Sequence, residues 1–288
     1  MAFKRLPVVR KLFKEHSPKI ALRSLSKMAS IPEVPGVWTV GGDLITGRQA
    51  LAGCGTQNSA LSFGGQITST YVPNTEEYNG SSWSSGGSLS TARGYLAGCG
   101  TQSAGLSFGG AGNLSVTEEY NDSSWSSGGD LNTARGFHAG AGTQSAGLSI
   151  ANTSEEYNGS AWSYGGDLNI SRTYIAGCGT QNSALSFGGY TDVNMDDTEE
   201  YNGTAWTTSG DLNVARRILA GCGLQNSALS FGGWTSIDSK STEEYNGSTW
   251  SNVDDLNTGR YGNGGVGTTS AGLSFGGFTN SVVTEEYA

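Results

Sequence analysis

LAGCGTQSAGLSFGGAGNLSVTEEYNDSSW, residues 96–125, recurs along the chain in close copies. Six tryptophans mark the repeat: Trp38, Trp83, Trp125, Trp162, Trp206 and Trp250. Ten residues after each stands an arginine: Arg48, Arg93, Arg135, Arg172, Arg216 and Arg260. Thirteen residues further lies a leucine that opens a Leu-Ser pair, and a Glu-Glu-Tyr triplet follows. In the five complete cases the next tryptophan comes five residues after that tyrosine. Only the interval from leucine to tyrosine varies, measuring 17, 14, 9, 16, 16 and 14 residues. Constant spacing with one elastic interval describes a repeated supersecondary unit with a single permissive loop.

Each unit reads as four short strands. GYLAGCGT (94–101) is a small-residue strand a, GLSFGG (105–110) strand b, SVTEEYN (115–121) strand c and SSWSS (123–127) strand d. Asn-Gly pairs at 79–80, 158–159, 202–203 and 246–247 fall between c and d, where a tight hairpin turn needs positive φ. Four antiparallel strands per repeat match a propeller blade. Glycine in strand a suits innermost strands that converge on a central channel. Tyrosine and tryptophan on the outer strands suit the wider gap between blades. The chain enters the repeat with strand d (Gly36–Thr39) and leaves it with strand c (Thr284–Tyr287). If the two meet, one blade is shared by both ends and the ring closes with no free edge. The expected fold is therefore all-β: a six-bladed propeller over residues 36–288, with residues 1–35 as a separate arm.

That arm is basic. Residues 1–35 carry eight Lys/Arg and two Glu, a net +6, whereas the rest of the chain carries eight basic and 23 acidic residues, a net −15. The arm is acid-poor and contains serine, as transit peptides do, but Pro7 and Pro18 interrupt a long amphipathic helix there. Lys4, Arg5, Arg10, Lys11, Phe13 and Lys14 would anchor the arm on an acidic surface. The acidic propeller is a poor match for nucleic acid. No apolar window is long enough for a membrane span.

The candidate chemistry is sparse. Cys54, Cys99, Cys178 and Cys222 share a repeat position with Ala141 and Val266, which marks a small core site. With only His16 and His138 available, a histidine-built metal site is not expected, and neither metal nor cofactor is called for. The Glu-Glu pairs occur in every repeat, so they read as structural: one Glu for the repeat arginine or backbone amides, the other for solvent. Gln57, Gln102, Gln144, Gln181 and Gln225 fall at the a–b turn, with Thr269 in the sixth repeat. They either line a channel mouth or satisfy backbone groups of their turns. The elastic b–c loops are the best binding candidates. They carry Tyr71, Tyr190, Asp192, Asn194, Asp196, Asp197, Trp234, Asp238, Lys240 and Phe278, an aromatic and oxygen-rich set suited to sugars. DVNMDD (192–197) is rich in oxygen ligands but lacks EF-hand spacing.

The double glycine after strand b, the Glu-Glu-Tyr strand and the spaced tryptophan, LSFGG…TEEYNGSSW, resemble the kelch repeat over residues 36–288. EEYN departs from the Tyr-Asp-Pro turn of many kelch repeats, and the third repeat, LSIANTSEEY (148–157), lacks the double glycine. The near-identical Gly/Ser/Thr-rich units also look like kelch-like repeats of tailed-phage virion proteins. That resemblance implies a non-enzymatic structural protein of the virion, in head decoration, tail or fibre. Its arm would dock on other assembly proteins, and its loops would meet a cell-surface glycan. The alternatives are a cytoplasmic or extracellular kelch-like interaction adaptor and a sugar-acting enzyme of the mutarotase or lyase kind. The enzyme would need a unique acid, base and arginine cluster, which non-repeating Arg217 and Lys240 do not supply.

Overall fold

The computed structural model describes residues 36–288. Six antiparallel four-stranded sheets form a closed β-propeller. Blade one consists of Ala52–Thr56, Ser59–Phe63, Thr75–Tyr78 and Trp83–Ser85 as strands a to d. Blades two to five repeat this order, beginning at Ala97, Ala139, Ala176 and Ala220. Blade six takes Gly264–Thr268, Ala271–Phe275 and Thr284–Tyr287 from the end of the chain and Trp38–Val40 from the start. The closing register pairs Trp38 with Tyr287 and Val40 with Glu285. Trp38–Val40 thereby covers the edge that Thr284–Tyr287 would otherwise expose, and itself takes the outer position that strand d holds in every blade.

Strand a is narrow because neighbouring strands crowd at the axis. A Cβ on Gly140 would come within 2.7 Å of the Gly98 carbonyl oxygen in the adjacent blade. Strand a begins at Ala97, not Gly94, because Tyr95 takes a left-handed φ of 53° and breaks the extended run.

A frame holds each blade internally. In blade one the buried Arg48 pairs with Glu76, and its Nη2 donates to Ser62 Oγ at 2.8 Å. Glu76 also accepts the amides of Ile45 (2.7 Å) and Thr46 (3.2 Å), which staples the incoming loop. Each of the six repeat arginines makes the equivalent pair, with Glu118, Glu155, Glu199, Glu243 and Glu285 in the other blades. Burial lowers Arg93 and Arg216 to about 10, with the paired carboxylates opposing the shift. Both therefore remain charged at neutral pH.

A second set of bonds joins neighbouring blades, again through side chains. Trp125 of blade two packs its ring 4.9 Å from Phe63 of blade one and donates Nε1 to Thr75 Oγ1 at 2.9 Å. All six repeat tryptophans donate in this way to a Thr or Ser of the preceding blade. In five of the six pairs the second Glu does not simply face solvent. Glu77, Glu119, Glu156, Glu200 and Glu286 accept the tyrosine hydroxyl of the next blade, as Tyr157 does to Glu119 at 2.7 Å. Each blade lies between two others, so the face of strand c opposite the first Glu meets the next blade. Burial, then the Glu119 carboxylate, pushes Tyr157 up to about 12.

The glutamines of the a–b turns also reach across. Gln102 Nε2 donates to the carbonyls of Ala60 (2.9 Å) and Tyr78 (2.6 Å) in the preceding blade, not to its own turn. The c–d connections are four-residue turns, not two-residue hairpins. Asn79 Oδ1 accepts the amides of Ser81 and Ser82 at 3.0 Å, and only Gly80 takes positive φ. In blade two Asp122 adopts that conformation, at φ 74°.

Candidate functional site

The d–a connections and b–c loops share one face of the ring, here the loop face; the a–b and c–d turns make the opposite, turn face. At the centre of the loop face lies a closed belt of six residues: Ala50, Tyr95, Phe137, Tyr174, Ile218 and Gly262. Each has φ between 53° and 64°. Each backbone amide donates to the carbonyl of its counterpart one blade back, over 2.7–3.0 Å, and Ala50 closes the circle on Gly262. Left-handed φ at a β-branched residue such as Ile218 is rare. Here the cyclic bonds over-determine it.

The side chains of the belt differ from blade to blade. Tyr95, Phe137 and Tyr174 form an arc, with ring centroids 4.6 Å and 4.7 Å apart at successive contacts. Ala50 and Gly262, both buried, put little side chain on the other side of the belt. Below it Leu51, Leu96, His138, Ile175, Leu219 and Asn263 help to line a small cavity of about 90 Å³. His138 is buried, and neither ring nitrogen has a hydrogen-bond partner. Burial, then the charges of Arg135 and Arg93, lowers its pKa to about 3. Asn263 donates to Ser274 Oγ while its Oδ1 has no partner.

The four cysteines lie deeper along the channel, and all are free and buried. Burial raises Cys99 and Cys178 to about 12, so their thiols stay protonated at neutral pH. Among the described residues, no group of three His, Cys, Asp or Glu is placed to hold a metal ion. No helix among them is long and apolar enough to cross a membrane.

The loop residues expected from sequence fall into separate groups. Tyr71 is 37% exposed and lies over Gly94. Tyr190 carries the Arg217 guanidinium 4.3 Å from its ring centroid. Asn194 accepts from Arg217 at 3.3 Å and donates to the Thr235 carbonyl at 2.7 Å, so loops four and five are tied together. Trp234, Tyr261 and Phe278 form a second aromatic run, with centroids 5.0 Å and 4.6 Å apart. Asp192, Asp196 and Asp238 are exposed. The arm residues Lys4, Arg5, Arg10, Lys11, Phe13 and Lys14 lie outside the described residues.

Sequence reasoning missed the belt aromatics and Tyr261. A signal existed. The three positions after the frame arginine read QAL, GYL, GFH, TYI, RIL and YGN, directly ahead of the near-constant AGCG. Variation at a constant distance inside an otherwise uniform repeat marks side chains that the fold does not need. Compared with known proteins, the sequence matches no family model and no curated protein.

Proposed function

We propose that this chain is a non-enzymatic binding and display protein, whose propeller is a stiff support for ligand-binding side chains on the loop face. One observation carries the reading: side-chain diversity concentrates on that face, while the turn face and the blade frame repeat. Exposed and half-buried aromatics with nearby carboxylates and amides suit a glycan, by ring stacking and hydroxyl hydrogen bonds. Tyr71, Tyr190, Trp234 and Phe278 would stack, and Asp192, Asn194, Asp196 and Asp238 would take hydroxyls.

The setting we propose is a virion, with residues 1–35 docking the propeller on other assembly proteins. The net +6 of residues 1–35 against the net −15 of the rest of the chain suits such docking. A glycan array probed with the full chain tests the binding role. Retention of one glycan class is expected, with at least a tenfold loss in Trp234→Ala or Phe278→Ala. An array with no retained glycan sinks the glycan reading, and turnover of a retained sugar sinks the non-enzymatic one.

A further inference from the structure

In five blades the chain after strand b fills the slot between its own leading segment and the next. Gln66 exchanges two backbone bonds with Gln49, Tyr190 with Thr173 and Trp234 with Arg217, all within 2.7–3.2 Å. Ala111 and Phe278 each donate an amide to the carbonyls of Gly94 and Tyr261, at 2.8 Å. The second glycine of each double glycine also donates to the arginine carbonyl of the following blade, as Gly65 does to Arg93 at 2.9 Å.

Blade three has neither contact. Ala151 and Asn152 replace the double glycine, and the chain turns at once into Thr153–Tyr157. Gly136, the counterpart of Gln49 and Thr173, makes no backbone hydrogen bond, and no backbone amide reaches the Arg172 carbonyl. Asn152 Oδ1 takes the Arg172 amide instead, at 2.9 Å. A cavity of about 230 Å³ opens there, bordered by Gly136, Phe137, Thr153 and Thr173. His138, only 8% exposed, forms part of its wall with both nitrogens unpaired.

We propose that this slot is a docking site for an extended peptide segment of a partner protein, which completes blade three as the b–c loops complete the other five. The open groups are backbone carbonyls and an amide, which pair with another backbone. An anion finds no free cation there, because Arg135 and Arg172 are held by Glu155 and Glu199. Three of the five filled slots take Tyr190, Trp234 and Phe278, and the other two take Gln66 and Ala111, so an aromatic residue is the favoured occupant.

The probe is the fluorescein-labelled peptide GGWTSIDSK, residues 232–240 of blade five, titrated against the full chain by fluorescence anisotropy. Saturable binding is expected, with none for a scrambled peptide. Replacing residues 151–153 with residues 276–283 of blade six supplies the missing loop and should abolish binding. Thr173→Tyr, which supplies the ring that Trp234 meets in Tyr261 beside the blade-five slot, should tighten binding about threefold or more and decides the matter if the graft does not fold. Absence of saturable binding overturns the proposal. So does undiminished binding in the grafted chain, no tightening in Thr173→Tyr, or displacement of the peptide by an oligosaccharide at equal concentration.

Discussion

The two faces of the ring are built from the same repeat and obey different rules. On the turn face, Gln57, Gln102, Gln144, Gln181 and Gln225 each clamp two carbonyls of the preceding blade. On the loop face, six residues that differ in size and chemistry form an equally regular belt. The first face joins blades with side chains, so its residues are nearly constant. The belt joins them through backbone, which leaves the belt side chains free to carry function. Where the backbone makes the bond, the side chain is released from structural duty.

Breaking the frame tests this contrast most severely. Arg216→Ala leaves Glu243 buried without its cation, and should cost about 3–5 kcal/mol of unfolding free energy. Tyr95→Ala changes a belt residue to the one already present at Ala50 and should cost under about 1 kcal/mol. Urea denaturation of both variants measures the difference. Similar losses would mean that the belt depends on its side chains after all.

The second test concerns His138, packed directly beneath the belt. His138 holds a pKa of about 3 in the fold, below its ordinary value near 6.5. As pH falls, the unfolded chain takes up the proton first. The contribution is therefore undiminished above about pH 6.5 and is lost on acidification toward 3, at up to about 1.4 kcal/mol per pH unit. His138→Leu matches Leu96 and Leu219 at the same repeat position. It should remove that slope, worth about 2 kcal/mol at pH 5, and add about 1 kcal/mol at pH 7 by deleting two unpaired nitrogens. Chemical denaturation at pH 7 and pH 5 reads both effects, and parallel losses in parent and variant would refute the assignment.

The smallest effect sharpens the turn-face rule. Thr269 stands where the other blades have glutamine, so no clamp reaches the carbonyls of Ala228 and Tyr245. Thr269→Gln should add about 1 kcal/mol, seen as a higher thermal midpoint. No gain would show that the clamps only satisfy groups already content with water.

Much of this architecture was legible beforehand. The spacing of Trp, Arg, Leu and Tyr implied four strands per unit, and an orphan Tyr287 with an orphan Trp38 implied closure on six blades. Pairing of the repeat arginine with one Glu of each pair followed from their matched recurrence. The partner of the second Glu was not legible, because it lies on the next blade. The start of strand a was misplaced because Tyr95 and its counterparts look extended by residue type yet are left-handed. Of the loop candidates, Tyr190 and Asn194 were identifiable as variable residues, but their linkage through Arg217 was not.

Sequence by itself determined the unit, its count and its closure, because local spacing sets strand length and a core position recurs wherever its surroundings recur. Only the tertiary structure decided the backbone belt, the aromatic arc at its mouth and the unfilled slot of blade three. Those features arise from backbone groups of different blades meeting across the ring. A backbone amide looks the same at every residue, so no letter in the chain announces which carbonyl it will find.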